Sequence, residues 1–221
     1  SYQNYTLELW LKPDSLSHAA DANGIYSHSV NLNPGLQTLI STQLADGFDQ
    51  GMTVFLTYGR PSLSLRNDYD TDNRHAMRPS LSDGDWHHLA LTSEGKFYID
   101  GVLNNVEYMA PSRLNDTAPP PLDLSRLHIS ERASGEYPYK GGLSDVRIWG
   151  KVLSLEEIQS NMDYGSLSGS EQDLLANWML NDGSGSEAVD SAGNLNAEII
   201  GNVGLRGISE PADISPVFLE S

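Results

Sequence analysis

Apolar residues recur at every second position along most of this chain, in short runs broken by glycine, proline, asparagine and aspartate. Tyr5, Leu7, Leu9 and Leu11 alternate with Thr6, Glu8, Trp10 and Lys12, which predicts a strand with one inward face, ended by Pro13. Further strands are expected at 36–41, 52–58, 63–66, 86–92, 96–100, 124–130, 143–149, 176–180 and 197–200, with a closing strand at 214–219. Asp46-Gly47, Glu94-Gly95 and Asp100-Gly101 supply the turns. Residues 14–34 read as a long loop or a small hairpin, and 104–123 as a long connection extended by Pro119-Pro120-Pro121.

One stretch breaks this period. After a strand in which Ser144, Val146 and Ile148 are expected on one face and Leu143, Asp145, Arg147 and Trp149 on the other, Ser154 and Glu157 stand at capping-box spacing. Leu155, Ile158 and Met162 then recur at intervals of three and four, so a short helix is predicted over 155–162, with Gly165 as its stop. The fold class expected is all-β: one antiparallel β-sandwich spanning residues 1–221 with one short helix.

Four separated blocks carry a family resemblance. Gly141-Gly142-Leu143-Ser144-Asp145-Val146-Arg147-Ile148-Trp149, followed by Val152 to Ile158, resembles the late strand and helix of laminin-G-like, concanavalin A-like jelly-roll domains. Tyr5 to Pro13 resembles their opening strand, Asp83 to Thr92 their central Trp-His-His strand, and Phe97 to Gly101 the hairpin after it. Leu175 to Asn194 is similar to their Gly/Ser/Asp-rich segment, which in relatives often opens the domain; its late place here implies permuted boundaries or a preceding segment. The resemblance implies a jelly roll, a fold that serves lectins, adhesion modules, hydrolases and spacers alike. It also implies calcium at the rim of the sandwich. The family often has Asp where this chain has Ser144, so no carboxylate role is transferred to that position.

Charge narrows the partners. Thirty acidic against 13 basic residues give a formal net charge of -17, which argues against nucleic acid, whose phosphates need Lys and Arg. The absence of cysteine excludes disulfides, thiolate metal sites and a cysteine nucleophile. No run approaches the roughly 20 apolar residues of a membrane-spanning helix.

The least typical segment is Asn67-Asp68-Tyr69-Asp70-Thr71-Asp72-Asn73-Arg74-His75. Its alternating Asp68, Asp70 and Asp72 have the oxygen-ligand pattern that opens calcium loops, although Asn73 and Pro79 stand where an EF-hand needs Gly and Glu; an exposed acidic loop is the plainer reading. Asp182 and Asp190 form a second candidate calcium cluster. A sugar site needs an aromatic platform and planar hydrogen-bonding groups, which Asn67, Tyr69, Asp72, Asn73, Arg74 and His75 supply in part, with Tyr137 and Tyr139 as the platform. His87 and His88 point to opposite faces of a strand and cannot readily share a metal, so they read as scaffold.

Catalysis has little support. Glycoside hydrolysis needs two carboxylates flanking the bond, and no Glu-x-Asp-x-Glu-like run occurs; there is no Gly-x-Ser-x-Gly elbow or phosphate-cradling glycine loop. The expected function is a non-enzymatic, calcium-stabilised carbohydrate-binding (lectin) module of a secreted or cell-surface bacterial adhesin, part of a larger multidomain chain, with a cell-surface glycan as partner. The alternatives are a protein-binding or spacer module and an ancillary carbohydrate-binding module of a polysaccharide-degrading enzyme.

Overall fold

The computed structural model describes residues 1–14, 36–43, 51–57, 59–66, 71–76, 80–104, 106–108, 118–130, 137–163, 167–181 and 186–199; for 66, 71–76 and 106–108 the backbone alone is described. The expected closing strand at 214–219, most of the 14–34 connection and the Gly165 stop lie outside them.

β1 (Thr6–Pro13) organises the first sheet, pairing antiparallel with β11 (Gly141–Trp149) on one side and β6 (His87–Thr92) on the other. β12 (Leu174–Trp178) flanks β11, and β7 (Phe97–Ile99) and β8 (Val102–Asn104) continue beyond β6, giving the order β12-β11-β1-β6-β7-β8. The second sheet is built from β2 (Leu36–Ser41), β3 (Gly51–Thr57), β4 (Arg60–Arg66), β5 (Thr71–Ala76), β9 (Val106–Tyr108) and β10 (His128–Ile129), in the order β10-β2-β3-β4-β5-β9. A small hairpin joins β13 (Glu187–Ala188) to β14 (Ala197–Glu198).

Between the sheets lies the main core, in which Leu7, Leu9 and Leu11 meet Val54, Leu56, Leu63, Val146 and Ile148. The expected alternation of buried and exposed residues on β1 does not hold, because Thr6, Glu8 and Trp10 are buried as well. Helix α1 (Leu155–Asn161) explains this: Ile158 joins Ala90, Tyr98, Trp149 and Leu153 in a second apolar cluster on the outer side of the first sheet. Ser154 and Glu157 form the predicted capping box, satisfying two amides at the helix start.

Four further expectations are corrected. β11 is not a uniformly alternating strand: Asp145 has φ +49°, and the register moves from Glu8 opposite Arg147 to Trp10 opposite Ser144, the mark of a β-bulge. The extra residue puts Ser144 on the Trp10 side, away from Val146 and Ile148, and returns Leu143 to the core. The strand predicted at 124–130 begins instead as a 3-10 turn at Leu124–Arg126, because Asp123 accepts bonds from the Ser125 amide and hydroxyl before β10 starts. The acidic loop reading of 67–75 fails over its second half, which is β5, paired with β4 on one side and β9 on the other; β9 itself interrupts the expected 104–123 connection.

Candidate functional site

The site is built at the end of the sandwich where β1 runs out and β11 and β6 begin, since Lys12 faces Gly142, Pro13 faces Gly141 and Leu11 faces His87. Two segments frame it. The first is Tyr137–Gly142. Tyr137 is half-buried and has φ +53°, a left-handed backbone that a tyrosine adopts only where its surroundings impose it. Its carbonyl accepts the Thr38 amide at 2.7 Å, and the Tyr139 amide donates to Ser130 O at 2.7 Å, so the segment is pinned along β2.

The second segment is Asp83–His87. Trp86 is half-buried and lies so close over Gly142 that a Cβ there would come within 2.7 Å of Trp86 Cη2, which is why glycine is needed at this position. His87 bonds through Nδ1 to Asp100 at 2.8 Å and through Nε2 to Asp83 at 3.0 Å. Burial opposes a charge on this imidazole, but the bonds to Asp100 and Asp83 outweigh it and push its pKa up to about 9. Asp100 also accepts the His88 amide at 2.9 Å, which locks the β7–β8 turn to β6. The rim thus presents two part-exposed aromatic residues and a fixed imidazolium between two carboxylates.

The second sheet carries this rim across to β5. Pro138 bridges to Thr38, which stands opposite Phe55, then Ser62, then His75 and then Glu107. In the adjacent row Ser41 stands opposite Thr53, then Ser64, then Asn73. Strands lie about 4.8 Å apart, so the backbone of β5 at His75 is roughly 19 Å from Pro138, at the same level of one sheet. Between them Thr38, Ser41, Thr53, Phe55, Ser62 and Ser64 are all buried, with Ser41 Oγ and Thr53 Oγ1 3.1 Å apart, so this face of the sheet is covered.

The sequence-derived site residues divide accordingly. Tyr137 is at the rim, and Asp72, Asn73, Arg74 and His75 belong to β5, where Asp72 stands opposite Leu65 and Arg74 opposite Leu63. Asn67, Asp68, Tyr69, Asp70 and Asp182 lie outside the described residues. Tyr139 is no platform: it is buried in the main core and donates its hydroxyl to Gly142 O at 3.1 Å, so its ring braces the segment that holds Tyr137. Asp190 does not fit a calcium ligand, because it is buried and its two oxygens accept the amides of Asn177 at 2.8 Å, Ala192 at 2.9 Å and Leu195 at 3.0 Å. Among the described residues no three His, Asp or Glu side chains gather as a metal shell. Trp86 and the Asp83–His87–Asp100 bridge were not legible as rim elements; the signal available was the Asp83-Gly84-Asp85 turn immediately before an aromatic residue.

A family model for the concanavalin A-like lectin/glucanases superfamily, of laminin G type, matches residues 1–159. A Bacteroides ovatus structure described as a candidate carbohydrate-binding protein superposes with a TM-score of 0.58 at 19% identity; it aligns with 89% of this chain, which spans 52% of that one. The CBM40 of a Ruminococcus gnavus IT-sialidase, bound to α2,3 sialyllactose, gives a TM-score of 0.48 at 16% identity, over 73% of this chain and 83% of that one. A pentraxin of Limulus polyphemus gives 0.43 at 13%, over 75% and 72%. No curated protein matches.

Proposed function

This chain belongs to the laminin G-like family of the concanavalin A-like lectin and glucanase superfamily, and on that premise we propose that it is a non-catalytic carbohydrate-binding module whose site is the rim formed by Tyr137 and Trp86. The observation that carries the reading is the construction of one short segment. Tyr137 is held in a left-handed conformation at its start, and Trp86 rests on Gly142 at its end. Two aromatic residues on a fixed support are what stacking on the apolar face of a sugar ring requires, and His87 with its carboxylates adds oriented polar groups beside them. We include Asn73 and His75 of β5 as the far side, since they share the face of Ser64 and Ser62, whereas Arg74 stands opposite the core residue Leu63 on the other face.

Non-catalytic action is supported by the same geometry. Hydrolysis of a glycosidic bond uses two carboxyl groups, one as acid and one as base or nucleophile. Asp83 and Asp100, which flank the rim, are both engaged by His87.

Calcium held through Asp68, Asp70 and Asp72 belongs to the proposal, on the ground that alternate carboxylates lead directly into β5 and would rigidify the far side. We place the module in a secreted or cell-surface bacterial adhesin, recognising cell-surface glycans, for which the acidic, cysteine-free composition is the support. Binding of immobilised glycans by the parent and by Tyr137→Gly tests the site: the parent binds a related set of glycans and the variant loses it. Equal binding by both would remove Tyr137 from the site.

A further inference from the structure

The outer side of the first sheet contains a buried polar group that the rim does not use. Glu8 is fully buried beneath α1. Its Oε2 accepts Trp149 Nε1 at 2.7 Å and Asn161 Nδ2 at 3.1 Å, so one carboxylate oxygen joins the sheet to the end of the helix. Among the described residues Oε1 has no hydrogen-bond partner. It lies 3.6 Å from Nε2 of His88, which is itself buried and unpartnered at both ring nitrogens.

Among the described residues Glu8 has no counterion of its own. Arg147, on β11 directly opposite Glu8, is fully buried, but its Nε bonds Asp145 Oδ1 at 2.7 Å, its Nη2 bonds Asp145 Oδ2 and its Nη1 bonds Asn161 O. One guanidinium is therefore matched by one carboxylate. On β6, Ala90 stands opposite Glu8 and His88 is the titratable neighbour; Asp100, at the β7–β8 turn, bonds the His88 amide and the His87 ring rather than the His88 ring. Tyr98 of β7 lies in the apolar cluster, Asn177 of β12 is neutral, and Glu157 of α1 is turned to Lys151. An ionised Glu8 would be a buried, unmatched charge with one bare oxygen, the costliest state open to it.

We propose that Glu8 carries a proton on Oε1 in the folded protein, donated to Nε2 of His88, so that a neutral pair is buried between α1 and the sheet. A small closing of the gap makes the bond and satisfies both atoms at once. Oε2 stays free to accept from Trp149 and Asn161, and His88 keeps its own proton on Nδ1. Burial, acting against the Arg147 charge, pushes the Glu8 pKa up to about 7, while burial and Arg147 hold His88 down at about 3, so the imidazole is the neutral acceptor. Above neutrality Glu8 loses the proton, Oε1 and Nε2 lose their bond, and the Trp149 and Asn161 contacts are left on an anion.

The test is a carbon-13 NMR titration of the glutamate side-chain carboxyl groups in the full chain, read together with the Trp149 indole N–H resonance. One glutamate is expected to titrate with a midpoint moved from the ordinary 4.5 to about 7, with the indole resonance shifting in step, and Glu8→Gln is expected to lack both changes. Titration of every glutamate in the ordinary range, or a shifted glutamate that persists in Glu8→Gln, overturns the assignment. If Glu8→Gln does not fold, the parent decides alone: a glutamate displaced to near 7 without any movement of the Trp149 indole would also contradict it.

Discussion

The amide of Thr38 donates to the carbonyl of Tyr137 at 2.7 Å, and through that bond an aromatic segment outside the regular strands is tied to β2. The bond explains how Tyr137 keeps a left-handed backbone. It fixes the carbonyl while the core packing of Tyr139 fixes the other side of the segment. The consequence is a ring held at the rim by its own backbone.

Replacing Tyr137 with Gly separates binding from folding. Glycine favours φ +53° where tyrosine is strained, so the loss of ring contacts is offset and the melting temperature should stay within about 4 °C of the parent. Loss of a stacked ring should weaken glycan affinity by about tenfold or more, which an array reads as loss of signal. Calorimetry and binding isotherms on the same preparation check both numbers.

The His87 bridge makes stability fall with alkali. Its folded pKa, about 9, lies above the ordinary 6.5, because bonds to Asp100 and Asp83 overcome burial. The stabilisation is fully present below pH 6.5 and is lost as pH rises through 9. Urea midpoints measured from pH 8 to 10, above most of the Glu8 titration, should decline in the parent but remain nearly flat in His87→Gln. Parallel curves would mean that the bridge contributes nothing to folding.

Asp190 is expected to act as a staple. Asp190→Ala leaves three amides without their acceptor, at a cost of roughly 3 kcal/mol, or a melting temperature about 6–12 °C lower. Because none of this involves an ion, the loss should be the same in calcium and in EDTA, as thermal melts in the two buffers would show. A loss confined to calcium would return Asp190 to the list of ligands.

How much of this was legible in the sequence depended on whether a feature was local. The capping box of Ser154 and Glu157 and the inward set Leu7, Leu9, Leu11 are spelled out by spacing, and both appear in the structure. The bulge at Asp145 was not, since an apolar-polar alternation reads the same on either side of one inserted residue. β5 was hidden because Thr-Asp-Asn-Arg-His-Ala carries no apolar period; what makes it a strand is pairing with β4 and β9. Burial of Glu8 was equally invisible, because the element that covers it, α1, lies about 150 residues away, as the Asn161 bond of sequence separation 153 illustrates. For the site, Tyr137 was readable as a loop aromatic, whereas the burial of Tyr139 and the contact of Trp86 with Gly142 come from packing that no local pattern encodes.

The calcium proposal has its own test. Replacing both Asp70 and Asp72 with Asn should abolish the calcium-induced rise in melting temperature that the parent shows, while leaving the melt in EDTA nearly unchanged. An undiminished rise in the double variant would remove this segment as the ion site.

The most direct measurement is a glycan-array screen of the purified chain, run in millimolar-range calcium and again in EDTA, with Tyr137→Gly beside it. The account predicts a structurally related set of glycans bound by the parent in calcium, weakened in EDTA and lost in Tyr137→Gly. Absence of binding to any glycan in either buffer would contradict the carbohydrate-binding reading itself and leave a protein-binding or spacer module in its place.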